Sequence, residues 1–179
     1  MTALRRSGPI SQMLRGLIAL CAAAAPIAAL ALTEAASAGA AAPACKTSGL
    51  VVWLNTESNG TAGTIFYTLN FTNLSGGTCT LRGYPGVSAV NLQNKQIGKA
   101  ASRVSGQTVK TITLGAGRTA HATLGIVDIG ALPNCPHTTA AGLRVFPPNQ
   151  TAAKVIPFPF PACRTSSAPA FLRIRPVTT

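Results

Sequence analysis

From Thr64 to Thr72 the chain reads TIFYTLNFT, and its large residues recur at alternate positions. Ile65, Tyr67, Leu69 and Phe71 share one side, and Thr64, Thr68, Asn70 and Thr72 share the other. Phe66 is the exception, an aromatic ring on the polar side. A period of two is that of a half-buried β-strand. Leu50 to Leu54 (LVVWL) reads as a second strand, and the turn cluster TESNGTAG lies between the two. Folding about Asn59 makes them a hairpin.

Further strands follow. GYPG at 83–86 predicts a type II turn with Pro85 and Gly86 at its centre, and Val87 to Leu92 leaves it as a strand. Val109 to Leu114 and Thr119 to Val127 flank GAG, which predicts another hairpin. In the second of these strands Ala120, Ala122, Leu124 and Ile126 point one way, His121 and Thr123 the other. Gly142 to Phe146 and Ala153 to Phe158 flank PPNQ. In the last run, FLRIRPV, alternation places Ala170, Leu172 and Ile174 inward and Phe171, Arg173 and Arg175 outward, with Pro176 ending the strand. Past residue 38 no segment sustains a 3.6-residue period. About eight short strands bounded by Gly, Pro, Asn or Ser predict an all-β fold, an immunoglobulin-like β-sandwich of about seven to eight antiparallel strands. The antibody Cys-Trp-Cys arrangement is missing, because Trp53 sits in the first strand.

The N-terminal segment follows a different pattern. Arg5, Arg6 and Arg15 precede the apolar stretch Leu17 to Leu32, and Ala36 and Ala38 follow in a small-x-small arrangement. This predicts an export signal over 1–38, a short linker over 39–44 and a sandwich domain over 45–177. The apolar stretch is short against the ~20 residues of a spanning helix, and Pro26 interrupts it, so no transmembrane segment is expected after cleavage. The 179-residue chain has a formal net charge of +12 with 15 Lys and Arg against three acids. Cleavage leaves Glu57 and Asp128 as the only acids. Lys95, Lys99 and Arg103 are spaced along one segment, and Arg173 and Arg175 share one strand face. These five are the candidates for contact with anionic envelope polymers or lipid headgroups. No basic-aromatic motif points to nucleic acid.

Cys21 lies inside the signal, which leaves Cys45, Cys79, Cys135 and Cys163 in the exported chain. An even count in an exported domain reads as two disulfides, with three possible pairings. Folding the first hairpin about Asn59 brings Cys45 near position 73, and the bulging NLSGGT covers the remaining distance to Cys79. Folding about Asn149 puts Cys135 and Cys163 each 14 residues from the turn. The expected bridges are therefore Cys45–Cys79 and Cys135–Cys163.

Catalytic constellations are sparse. A carboxylate pair would have to use Glu57 and Asp128, and Glu57 lies in a turn cluster. A Ser–His–Asp triad would draw on His121 and Asp128, but GVSAV at 86–90 has Val90 where a nucleophile elbow has glycine. His121 and His137 form the alternative reading, a small secreted hydrolase or metal-binding protein. No C-x-x-C pair is present. No catalytic residue, metal ligand or cofactor is assigned.

The run F-T-N-x-S-G-G-T-C-T-L-x-G-Y-P-G-V, Phe71 to Val87, resembles the core motif of an actinobacterial secreted family, domain-of-unknown-function family 4232. Ile97-Gly98, Leu114-x-x-Gly117, Cys135, the L-x-V-x-P-P of Leu143 to Pro148, and Cys163 extend the resemblance over about Cys45 to Pro176. Asn94-Lys95 stands where members often carry Asp-Gly. The resemblance implies an exported sandwich-like domain with no established activity, and it supplies no catalytic residue. Together these readings predict a monomeric, non-enzymatic cell-envelope or extracellular binding or structural domain that interacts with anionic envelope components.

Overall fold

The computed structural model describes residues 41–179. The signal read over 1–38 lies outside the described residues. The strands are β1 (Leu50–Thr61), β2 (Thr64–Asn73), β3 (Cys79–Arg82), β4 (Gly86–Val90), β5 (Gln96–Ile97), β6 (Ser102–Arg103), β7 (Thr111–Leu114), β8 (Thr119–Val127), β9 (His137–Phe146), β10 (Lys154–Cys163) and β11 (Leu172–Ile174). They form a five-stranded sheet in the order β1-β2-β8-β11-β6, a four-stranded sheet β10-β9-β4-β5 and a two-stranded sheet β3-β7. The fold is all-β and sandwich-like, as the alternation predicts. The strand count is higher than expected because β3, β5 and β6 are only two to four residues long. The β11–β6 pair is parallel.

The core lies between the two larger sheets. Leu69 and Phe71 of β2, Ala120, Ala122 and Leu124 of β8, and Leu172 and Ile174 of β11 face Leu143 and Val145 of β9, all buried. A chain of rings crosses the interior: Tyr67 meets Phe158 edge-on at 5.1 Å, Phe158 lies 5.7 Å from Phe160, and Phe160 lies 6.3 Å from Phe171. Such aromatic pairs add stabilisation beyond the area they bury. Phe171 is a correction. Alternation places it outward, yet it is fully buried and precedes β11 rather than belonging to it. Alternation counts faces only within a strand, and here the strand begins one residue later.

The first hairpin turns at Ala62 and Gly63, with φ of 44° and 75°, not at Asn59. Two successive positive φ angles make a mirror-image turn that matches strand twist. β1 instead runs through Asn59-Gly60, with a register shift between Asn55 and Asn59. Residues 56–63 are all exposed, so the tip reaches past the core, and Ile65, on the apolar side of the alternation, is exposed as well.

The GAG segment is a second correction. β7 pairs with β3, and β8 pairs with β2 and β11, so residues 115–117 connect two sheets instead of closing a hairpin. A buried asparagine holds this connection. Asn73 Nδ2 donates to the carbonyls of Gly77 (2.8 Å), Leu114 (2.9 Å) and Gly115 (3.2 Å), while its Oδ1 accepts from the Ser75 amide and hydroxyl. Its backbone carbonyl accepts from the Gly117 amide, and its own amide donates to the Arg118 carbonyl. One residue thus ties the turn after β2 to the turn after β7. Of Asn73, Gly76 and Gly77, only Gly76 has a positive φ, so Asn73 acts as a polar hub and not as a tolerant turn residue.

Both predicted disulfides are present, with Cα–Cα distances of 4.9 Å for Cys45–Cys79 and 5.0 Å for Cys135–Cys163. The second closes the open end of the β9–β10 hairpin, where Cys163 pairs with His137. The first is reached differently from expectation. Residues 43–45 run parallel beside β3, with Cys45 N donating to Thr80 O and Thr80 N to Pro43 O, before the chain turns through a short 3-10 segment, Thr47–Gly49, into β1. The last linker residues are therefore bonded to the domain. At the other end Thr178 pairs with His121.

The GYPG turn also differs. The positive φ belongs to Gly83 (110°), and Gly86 opens β4. Gly98 of the Ile97-Gly98 pair has φ of 65°, and a Cβ there would sit 2.5 Å from the Phe171 ring and 2.7 Å from the Cys163 carbonyl. Only glycine fits that approach.

Candidate binding face

The outer face of the five-stranded sheet is set by register. Paired residues on antiparallel neighbours lie on the same face. Trp53 pairs with Asn70 and Asn70 with His121, which makes one row across β1, β2 and β8. Asn55, Thr68 and Thr123 make the next row. Phe66, Gly125, Arg173 and Ser102 make the third, across β2, β8, β11 and β6. Arg175 lies beside Thr123, whose carbonyl accepts its amide. The Phe66 ring covers Gly125, where a Cβ would approach it to 3.1 Å. Phe66, the exception to the alternation, is thus an outer-face ring seated on a glycine.

Two of the five candidate cations lie on this face, and a third, Arg103, borders it from the β6 edge, its register partner being the buried Ile174 of the inner face. Arg173 and Arg175 line a shallow depression of about 130 Å³ with Phe66 and Thr123. Arg173 also shares a depression of about 410 Å³ with Ser102 and Arg103. The Arg103 guanidinium sits over the Tyr84 ring, 5.4 Å from its centroid, and the Tyr84 hydroxyl donates to Val104 O at 2.9 Å. A cation over an aromatic face is held electrostatically. The motif tyrosine therefore fixes both the backbone of the β6 segment and its arginine. Arg82, which is not among the sequence candidates, faces a further cavity with Tyr84 and Arg103. No local pattern reveals it, because nothing in the sequence brings 82 near 103. Lys95 lies in the β4–β5 turn and Lys99 follows β5, both exposed, and neither lines these depressions.

The structure separates the residues of the alternative reading. His121 is on β8 of one sheet, while His137 begins β9 of the other and is exposed. Cys135 is engaged in its disulfide. Asp128 lies seven residues along the chain from His121, roughly 23 Å at strand rise, and its carboxylate accepts from the Gly130 amide. A triad built on His121 and Asp128 is therefore not assembled.

A family model described as Domain of unknown function (DUF4232) matches residues 45–178. The chain belongs to that family. The match begins at the first disulfide cysteine and ends at Thr178, the residue that pairs with His121, so the DUF4232 domain coincides with the bonded unit described above. Neither the search of curated proteins nor that of solved structures finds a match. Two disulfides point to an oxidising compartment. Among the described residues no helix is long and apolar enough to cross a membrane.

Proposed function

We propose that this DUF4232 domain is an exported, non-enzymatic binding domain of the cell envelope or extracellular space, and that it engages anionic envelope components through the β6–β11 surface. The observation that carries this reading is that Arg173 and Arg175, on β11 and just beyond it, line one depression and that Arg173 shares a second with Arg103 of β6, in a domain whose only acids are Glu57 and Asp128. Guanidinium groups are the side chains best shaped for bidentate contact with carboxylates and phosphates. The long-range part of the attraction is screened over ~8–10 Å at 0.1–0.15 M salt. Co-sedimentation with anionic and neutral envelope preparations across a salt series tests the reading. Binding should prefer the anionic material, weaken as salt rises, and fall with Arg173→Glu/Arg175→Glu. Binding that ignores both salt and those substitutions overturns it. N-terminal sequencing of the exported protein should find Gly39 at or near the start, and an intact Met1 on cytosolic protein would remove the export part.

A further inference from the structure

We infer that the outer face of the five-stranded sheet is a glycan platform, and that its ligand is an acidic polysaccharide. This deepens the proposed function and rests on it. Three observations on one face carry it.

The first is Trp53. It is 44% exposed in the middle of a strand, and its Nε1 donates to Thr72 Oγ1 at 3.3 Å. Thr72 Oγ1 is itself 2.9 Å from Thr119 Oγ1. The indole is thus tied down across three strands. A sugar ring offers an apolar C–H face that packs on such a fixed aromatic surface. The second is the row beside it. Asn70, only 7% exposed, lies between Trp53 and His121 in register, and Thr68 and Thr123 follow in the next row. Asn70 is covered, with its Nδ2 donating to the Thr68 carbonyl, so it braces the row from beneath. The half-buried His121, Thr68 and Thr123 supply imidazole and hydroxyl groups that match sugar hydroxyls in kind, held in place in advance by the strands. The third is charge. Arg175, just beyond β11, lies beside Thr123 of that second row, and Arg173 of β11 lies in the next row with Phe66 and Gly125. From β1 to β11 is three inter-strand spacings, about 14–15 Å. A chain of several sugars can therefore stack on Trp53 while its carboxylates or phosphates reach the arginines.

The same features disfavour a lipid surface. A membrane anchor inserts aromatic residues from a protruding tip, whereas Trp53 and Phe66 sit within the sheet, Trp53 among Val51, Asn55, Asn70 and Thr72 and Phe66 among Thr64, Thr68 and Gly125. A flat polar face would have to be dehydrated whole to enter the headgroup region.

The chain contains one tryptophan, so its emission reports on this site alone. Polygalacturonate oligomers titrated into the purified protein should change Trp53 emission saturably, and neutral dextran should not. In affinity electrophoresis, Trp53→Ala should weaken polygalacturonate binding by about tenfold and leave binding to phosphatidylglycerol vesicles unchanged. Thr72→Val, which keeps the ring but releases it, should lose less. Arg173→Glu/Arg175→Glu should weaken both. If Trp53→Ala and Thr72→Val, both folded by thermal melting, bind polygalacturonate as the parent does, the platform is wrong and the anionic reading stands. Stronger binding to the vesicles than to polygalacturonate likewise overturns the platform alone. Equal binding of dextran overturns the acidic ligand, and no binding to either anion sinks both proposals.

Discussion

The two faces of the five-stranded sheet are built from the same strands and obey opposite rules. Inward, Leu69, Phe71, Ala120, Ala122 and Leu124 are fully or almost fully buried, and small residues on β8 let large ones on β2 pack closely. Outward, the same sheet carries threonine, asparagine, histidine, Arg173, the exposed Val51 and the rings of Trp53 and Phe66. Each inward residue is fixed by volume and each outward one by chemistry. Substitutions inside should therefore change stability and leave binding specificity alone, and substitutions outside should do the reverse.

The sharpest test of the inner face is Phe71→Ala, expected to cost ~3–5 kcal/mol in chemical denaturation because a fully buried ring leaves a cavity. A cost near that of a surface change would mean that the core does not depend on this face. Replacing Cys45 and Cys79 by serine should cost ~3–4 kcal/mol by the loop-entropy argument, with the unfolding midpoint as readout. Asn73→Ala should cost ~2–3 kcal/mol, since it strands the buried Leu114 carbonyl and removes the bonds to Gly77 and Gly115. That loss would show a polar residue behaving as part of the core. The smallest effect is expected outside: Arg173→Glu/Arg175→Glu should shift stability by no more than about 0.5 kcal/mol. A large destabilisation there would break the contrast and return the arginines to a structural role.

Much of this contrast was legible in the sequence. Alternation in β8 assigned its inner and outer residues correctly, and both expected disulfides are present, Cys135–Cys163 by the hairpin geometry counted and Cys45–Cys79 by a path along β3 that the counting did not foresee. Local periodicity carries that information because each residue's face depends on its immediate neighbours. Three local expectations failed at element boundaries, namely the turns at 59–63 and 83–86 and the start of the last strand, and the larger failures were non-local. A glycine-rich turn between two apolar runs is compatible with a hairpin or with a crossing between sheets, and the crossing here is bonded to the side chain of Asn73, more than forty positions before Gly115. The gathering of Arg103 with Arg173 needs the short parallel β6–β11 pair, and two-residue strands leave no periodic trace. The Trp53–Asn70–His121 row requires the register of three strands, and the shift near Asn55 is invisible in composition.

Sheet edges carry a further consequence. β10, the outermost strand of the four-stranded sheet, has exposed prolines at 157, 159 and 161. Proline lacks the amide hydrogen, so a strand studded with it carries a ladder on one side only and belongs at an edge. The opposite edge, β5, is two residues long, as is β6 at the end of the larger sheet. Among the described residues only β1 offers a long border free of proline. Fibre growth needs two open borders on each molecule, and the two larger sheets together present one. Copies forced together at high concentration could join β1 to β1 and stop at two. For a domain with almost no acids to regulate its surface, termination is written into the backbone instead of the charge.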